Sequence, residues 1–303
     1  MAVALVGRAE ASARLTCLRV SLVSAVLAGN PAEKEQSMAT LKARIGLVGL
    51  GYLGRYVYEQ ITTRPELGLE VAFVHELAAE RLTGLPGGIV LPEIRDFASR
   101  RPDLVVEMAH PAVTRQFGEL FLEQTDYMPL SMTAFADEGL QQRLLATARR
   151  SGTCLFIPHG AVVGLESIFE GRDLWEEVTM VMKKSPKNLD FSAAPQFKAA
   201  AITQETVLYD GPTRAVCPLF PRNVNSHATV ALAGIGFDRT RSVLVADPSL
   251  EVSVIEITAL GKGAAMRIER SNPLKGVSGV FTLNSTLAAI TRAKGTGGFL
   301  QIC

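Results

Sequence analysis

Six residues early in the chain, Gly49-Leu50-Gly51-Tyr52-Leu53-Gly54, have the spacing of a turn that cradles a pyrophosphate. They follow a short apolar run, Ile45-Gly46-Leu47-Val48, and open a stretch of helical periodicity from Leu53 to Ile61. In that setting Gly49 permits the tight turn, Gly51 lets the backbone approach a phosphate, and Gly54 allows helix and strand to pack closely. The free amides at the helix start then receive the negative charge. Glu76 lies 22 residues after Gly54, at the end of the next apolar run, Val71-Ala72-Phe73-Val74. There a carboxylate can accept hydrogen bonds from both ribose hydroxyls of an adenosine, which favours NAD. Arg81 is close enough in sequence to keep NADP open.

Later strand ends add further candidates, because ligands of open α/β sheets collect at the carboxyl ends of the strands. Ala109-His110-Pro111 ends one run and Ser131-Met132-Thr133 another. Small or hydroxyl side chains there would let a nicotinamide ribose and ring lie against the backbone. His110 has two readings, a structural or hydrogen-bonding residue beside a strand, or a catalyst. Cys17, Cys154, Cys217 and Cys303 are scattered without a CxxC pair or histidines at ligand spacing, so neither a metal site nor a disulfide framework is expected.

The elements that must position these residues are legible as alternating apolar runs and helical patterns. After Ile45–Val48 and Val71–Val74 come Leu104–Met108, Tyr127–Ser131 and Cys154–Ile157, which suggests about six strands in the first half. Such continuous apolar runs suit strands buried on both faces. Helices are expected over Ala112–Gln124 and Glu138–Arg150. The expected fold class is therefore α/β, a Rossmann-type doubly wound parallel sheet. Beyond about Gly160 the texture changes to strands without regular crossover helices: Val178–Met182, Thr206–Tyr209, Val243–Ala246, Val252–Ala259 and Ala265–Arg270. These predict a second, α+β domain with a mixed sheet. One helix, Val224–Ala233, interrupts it, and a last helix, Val280–Arg292, is expected to return to the nucleotide domain.

The domain reading is an extension over residues 1–40, a dinucleotide domain over 41–159, a substrate and dimerisation domain over 160–278, and a returning helix in 279–303. Residues 1–40 carry Arg8, Arg14 and Arg19 among Ala, Ser, Leu and Val, with Glu10 the sole acid before Glu33. That composition resembles a mitochondrial presequence; a disordered extension ending near Pro31 to Met38, with Met38 an alternative start, is preferred. The expected location is cytoplasmic, or mitochondrial if residues 1–37 act as a presequence. Leu22–Leu27 is too short and serine-broken for a membrane span. A net charge of +1 and a charged fraction of 20% give no electrostatic footprint for nucleic acid. A small-molecule substrate is the expected partner.

Four separated segments, in order, then carry a family resemblance. Thr133-Ala134-Phe135-Ala136-Asp137-Glu138, Pro158-His159-Gly160-Ala161-Val162-Val163-Gly164, Phe220-Pro221-Arg222-Asn223-Val224-Asn225 and Val245-Ala246-Asp247-Pro248 resemble the L-aspartate dehydrogenases, over about residues 43 to 295. The resemblance implies an NAD(P)-dependent enzyme acting on CH–NH2, which oxidises L-aspartate to iminoaspartate and so feeds NAD biosynthesis or yields oxaloacetate and ammonia. It also implies a homodimer. By the same resemblance the cofactor contacts are the glycine turn, Glu76, Ala109, His110, Pro111, Ser131, Thr133, Ala161 and Asn225. An asparagine amide suits a nicotinamide carboxamide because it both donates and accepts. Arg222 is the candidate for a substrate carboxylate, since its planar fork matches one bidentately, with a structural salt bridge as the other reading. Lys183 and Lys184 could hold a second carboxylate, although a solvated edge is the preferred reading of that pair.

One departure bears on activity. The family places a catalytic histidine shortly after the Asp247-Pro248 turn, and Ser249-Leu250-Glu251-Val252-Ser253-Val254-Ile255 contains none. Amine oxidation needs a group titrating near neutrality. His159 and His227 lie in motif-bearing segments, but neither is assigned, so the catalytic residue is left open. The alternative is a pseudoenzyme that binds NAD(P) without turning over substrate. A third reading, an imine reductase of the dihydrodipicolinate type, lacks its histidine- and lysine-rich motif here.

Overall fold

The computed structural model describes residues 42–275 and 278–295; residues 1–41, where the presequence reading falls, and 296–303 lie outside the described residues. The first half forms a parallel sheet of four strands, β1 (Ala43–Val48), β2 (Leu69–His75), β3 (Leu104–Glu107) and β4 (Asp126–Pro129), in the order β2-β1-β3-β4. Ile45, Leu47, Leu104, Val105 and Val106 are fully buried, as a strand covered on both faces requires. The chain leaves β1 for β2 on one side and returns to β3 on the other. The crevice between β1 and β3 is thus the switch point where such sheets bind ligands.

Helix α1 (Tyr52–Thr63) follows β1, α2 (Pro111–Leu122) follows β3, and α3 (Glu138–Ser151) follows β4. One expectation changes. Cys154–Ile157 forms a single bridge, Leu155 against Tyr127, and not a full strand, so four of the five named runs form the sheet, where about six strands were expected. Pro158 ends the run, and β4 beside it is itself four residues long. No α-helix joins β2 to β3. That segment holds Pro86, Pro92 and Pro102 with Gly84, Gly87 and Gly88, and folds as short 3-10 turns; Phe97 in one of them is fully buried against the sheet.

After the short helix α4 (Leu165–Glu170), the second half builds a mixed six-stranded sheet: β5 (Trp175–Lys184), β6 (Thr206–Pro212), β7 (Thr240–Ala246), β8 (Val252–Gly261), β9 (Ala264–Lys275) and β10 (Ser278–Gly279). Strand β5 runs parallel to β7 and antiparallel to β8. Helix α5 (Thr213–Val216) is one turn; α6 (Asn225–Ala233) is buried over most of its length. The last helix, α7 (Val280–Lys294), returns to the first sheet: Ala289 and Ile290 pack in one core with Ile45, Leu47, Val57 and Ile61, and Tyr56 Oη donates to Asn284 Oδ1 at 2.7 Å. Among the described residues no helix is long and apolar enough to cross a membrane, and no cluster of His, Cys, Asp and Glu could hold a metal ion.

Candidate active site

The loops that follow β1, β2, β3 and β4 face the inner rows of β5, β8 and β9 across a cleft of about 470 Å³. On the first wall the glycine turn has the geometry its spacing requires. Gly49 adopts φ 94°, and a Cβ there would sit 2.8 Å from the Ala109 Cβ. A Cβ on Gly54 would lie 2.1 Å from the Gly49 carbonyl oxygen, so α1 packs directly on the turn. Gly51 is the open one: its nearest neighbour would be Arg81 Nη1, at 4.0 Å. No side chain caps α1 and no acid lies in its first turn, so the positive end of its dipole faces the turn unopposed. A dinucleotide pyrophosphate fits this cradle.

Glu76 stands at the end of β2 beside the turn. Its carboxylate accepts from the amides of Leu50 at 2.8 Å and Ala78 at 3.0 Å and pairs with Arg81 at 3.3 Å. Burial works against its charge, but these amides and the guanidinium outweigh it and hold the carboxyl below the usual carboxylate range. Leu50 thus acts through its backbone, behind the wall.

Glu107, which sequence reading missed, organises the next two loops. It is fully buried at the end of β3 and accepts from the amides of Ala109 at 2.7 Å and His110 at 2.8 Å, and from Ser131. Burial pushes its pKa up against those bonds. Its signal in the sequence was a carboxylate inside a run of strand hydrophobes. His110 caps α2, its Nδ1 accepting from the Ala112 amide at 3.1 Å. Burial and the charges of Arg222 and Arg115 hold it below the ordinary histidine value, with Asp190 opposing. The capping role matches the structural reading of this residue.

Of the residues expected at the cofactor, Gly49, Gly51, Tyr52, Leu53, Glu76, Ala109, His110, Pro111, Ser131, Ala161 and Asn225 line this cleft. Gly54 and Thr133 support it from behind. Thr133 is buried: its hydroxyl donates to the Pro221 carbonyl at 2.8 Å and its amide to Asn225 Oδ1 at 3.2 Å. The acceptor of Asn225 is therefore engaged, and its amide nitrogen is the group left to face a ligand. The loop carrying Ala161 is fastened by Ser285, whose hydroxyl donates to the Gly160 carbonyl.

The opposite wall is cationic. Arg222 lines it and pairs through Nη1 with Asp190 at 3.1 Å, the salt bridge of its structural reading. Lys183 and Lys184 part company. Lys183 pairs with Glu205 at 3.2 Å, but Lys184 is 5% exposed and lines the cleft, which corrects the solvated-edge reading for that residue. The alternation Val178, Met180, Met182, Lys184 along β5 is the signal that places it inward. Ser253 and Arg270 join it from β8 and β9; among the described residues the Ser253 hydroxyl and Arg270 Nε are buried without hydrogen-bond partners. Of the two unassigned histidines, His159 lines the cleft and contacts Glu166 at 3.1 Å. His227 is fully buried in α6, Nδ1 2.9 Å from Ser242 Oγ and Nε2 unpartnered, and burial with the charge of Lys184 pushes it down to about 3.

Comparison with known proteins identifies the two walls. Residues 49–158 match the NAD-binding domain of homoserine dehydrogenase, and residues 169–293 match the aspartate dehydrogenase C-terminal domain. An aspartate dehydrogenase domain-containing protein of Xenopus tropicalis is 35% identical over 279 residues, covering 86% of this chain and 98% of that protein. This chain belongs to the L-aspartate dehydrogenase family. A further relative is the L-aspartate dehydrogenase of Cupriavidus necator, 32% identical over 83% of this chain and 96% of that one. The crystal structure of aspartate dehydrogenase from Thermotoga maritima shares the fold, with a TM-score of 0.67 at 22% identity over 85% of this chain and 99% of that one. The family is one of oxidoreductases, and NAD or NADP is the cofactor that its dinucleotide domain takes.

Proposed function

We propose that this chain oxidises L-aspartate to iminoaspartate, which hydrolyses to oxaloacetate and ammonia, in NAD biosynthesis or aspartate catabolism. The observation that carries this reading is one cleft with a dinucleotide turn on one wall and Arg222 and Arg270 on the other. Two guanidinium groups suit the two carboxylates of the substrate, and Arg forks bind carboxylates bidentately. When bound, the dinucleotide supplies the hydride acceptor. The Gly51 backbone and the first amides of α1 hold its pyrophosphate, and Glu76 takes the adenosine ribose. Ala109, His110, Pro111, Ser131 and Ala161 bound its path, and the Asn225 amide nitrogen donates to the carboxamide.

In this reading residues 41–159 bind the cofactor and 160–278 bind substrate and pair two subunits, with the helix in 279–303 returning to the first. A homodimer is supported by the half-buried Val181, Val243 and Val254 on the sheet face opposite the cleft. The test is incubation with L-aspartate and either cofactor at alkaline pH. Reduced nicotinamide should accumulate, and no turnover above a Gly51→Asp control overturns the reading.

Ser253 favours a second reading, a pseudoenzyme that binds NAD(P) without chemistry, because this cleft position offers a hydroxyl and not an imidazole. It requires that NAD or NADP raise the melting temperature by ligand linkage while aspartate oxidation stays undetectable.

A further inference from the structure

The floor of the cleft holds a lysine that no carboxylate among the described residues neutralises. Lys184 ends the buried row of β5, and its carbonyl accepts from the Asp247 amide at 2.8 Å, which fixes the backbone at that point. Acids on neighbouring segments are directed elsewhere: Asp190 is held by Arg222 at 3.1 Å, Glu205 by Lys183 at 3.2 Å, and Asp247 accepts from the Ser249 hydroxyl at 2.6 Å. Among the described residues no acid pairs with Lys184. The groups that do face it are Arg270 from β9, His227 from α6, and Ser253 from β8, the residue beside Val254, which pairs with Lys183. Of these, Arg270 is a cation and His227 is neutral. Three of their polar atoms, the Ser253 hydroxyl, His227 Nε2 and Arg270 Nε, are buried without hydrogen-bond partners among the described residues, so the floor presents polar groups that a ligand would satisfy.

We propose that Lys184 is the acid–base residue of the reaction, its uncharged Nζ taking a proton from the ammonium group of the bound substrate. The proposal rests on the aspartate dehydrogenase reading above. A substrate N–H bond breaks, an Nζ–H bond forms, and the positive charge passes to the lysine. The substrate nitrogen keeps its lone pair, which becomes the C=N bond as the Cα–H pair departs as hydride to the oxidised nicotinamide dinucleotide. The surroundings supply what this step needs. Burial and the charge of Arg270 push the Lys184 ammonium down to about 8, so an appreciable fraction is neutral in mildly alkaline solution. An arginine cannot do this, since it stays charged, which divides the labour between Arg222 and Arg270 as anchors and Lys184 as base.

The experiment is steady-state kinetics of the full chain and of Lys184→Ala and Lys184→Arg across pH, with dinucleotide binding followed in parallel by thermal shift. Both variants should lose about 100-fold or more in kcat, the range of general acid–base catalysis, while stabilisation by NAD or NADP is retained. Added methylamine should restore part of the Lys184→Ala turnover. If Lys184→Arg keeps kcat and raises KM alone, Lys184 is a carboxylate anchor; the proposal falls and the dehydrogenase reading stands. If the wild type itself does not turn over, the dehydrogenase reading fails and takes the proposal with it. Competitive acylation of lysines across pH, read by mass spectrometry, adds a test independent of turnover: a Lys184 that titrates with ordinary lysines, at about 10.4, overturns the proposal alone.

Discussion

Ser131 donates two hydrogen bonds to the buried carboxylate of Glu107, from its amide to Oε2 at 3.1 Å and from its hydroxyl to Oε1 at 2.9 Å. Glu107 ends β3 and Ser131 follows β4, so one side chain sets the relative position of two loops that line the cleft. With the amides of Ala109 and His110 also donating, every partner requires an acceptor, which only the ionised carboxylate fully provides. Glu107→Gln turns an N–H toward one of these donors. It should cost about 1–3 kcal/mol, the penalty for an unsatisfied buried group, seen as a lower urea midpoint together with weaker NAD(P) binding. An unchanged midpoint would mean that the native group is the neutral acid.

The glycine turn separates stability from binding. At Gly54 an added methyl meets the Gly49 carbonyl at 2.1 Å, which backbone movement alone can relieve. Gly54→Ala should cost about 3 kcal/mol or more, at the upper end of overpacking penalties. At Gly51 the methyl meets open space and φ is −69°, so Gly51→Ala should leave the urea midpoint within about 0.5 kcal/mol of wild type. Because that methyl points where a pyrophosphate would approach, dinucleotide affinity should fall about tenfold, 1.4 kcal/mol. Equal stability loss in both variants would refute the division.

The first half of the fold was legible because its information is local. Unbroken apolar runs, a glycine turn and capping residues such as Asp137 before α3 each fall within a few consecutive positions. The missed features depend on register or partners. Lys183-Lys184 looks solvated as a pair, and only the alternation carried by β5 separates the two side chains. Glu107 looks out of place in its strand until the donors from two loops converge on it. Arg270 shares the face of Ile255 through strand pairing, which the order of residues alone does not supply. Cys154–Ile157 has strand composition, but its neighbour offers room for a single bridge.

Arg81 is expected to govern the choice between NAD and NADP. It pairs with Glu76 at 3.3 Å and lines the cleft beside Gly51, so it partly offsets the carboxylate that would repel a 2′-phosphate. Arg81→Ala removes the cation and leaves Glu76 held by two backbone amides. The Kd for NADP should rise about tenfold more than that for NAD, in keeping with about 1.5–3 kcal/mol for a hydrogen bond to a charged group. Titration calorimetry with each cofactor gives the ratio, and parallel changes would remove Arg81 from the discrimination.

A base made from a buried lysine must destabilise the fold that contains it. Lys184 is pushed down from 10.5 to about 8, so between those values the unfolded chain holds a proton at this residue that the folded chain has released. Stability from this group is therefore present above 10.5 and lost as pH falls through 8. Below that value the cost is on the order of 3 kcal/mol, at about 1.36 kcal/mol for each pH unit between the two values. Lys184→Met, which keeps most of the side-chain volume, should accordingly be more stable than wild type at pH near 7. Its advantage should shrink as pH rises toward 10.5, because the wild-type lysine is then neutral in both states. Urea unfolding of both proteins at several pH values measures the difference. A constant difference across pH would mean that Lys184 titrates alike in the folded and unfolded chain, and that its surroundings do not depress it.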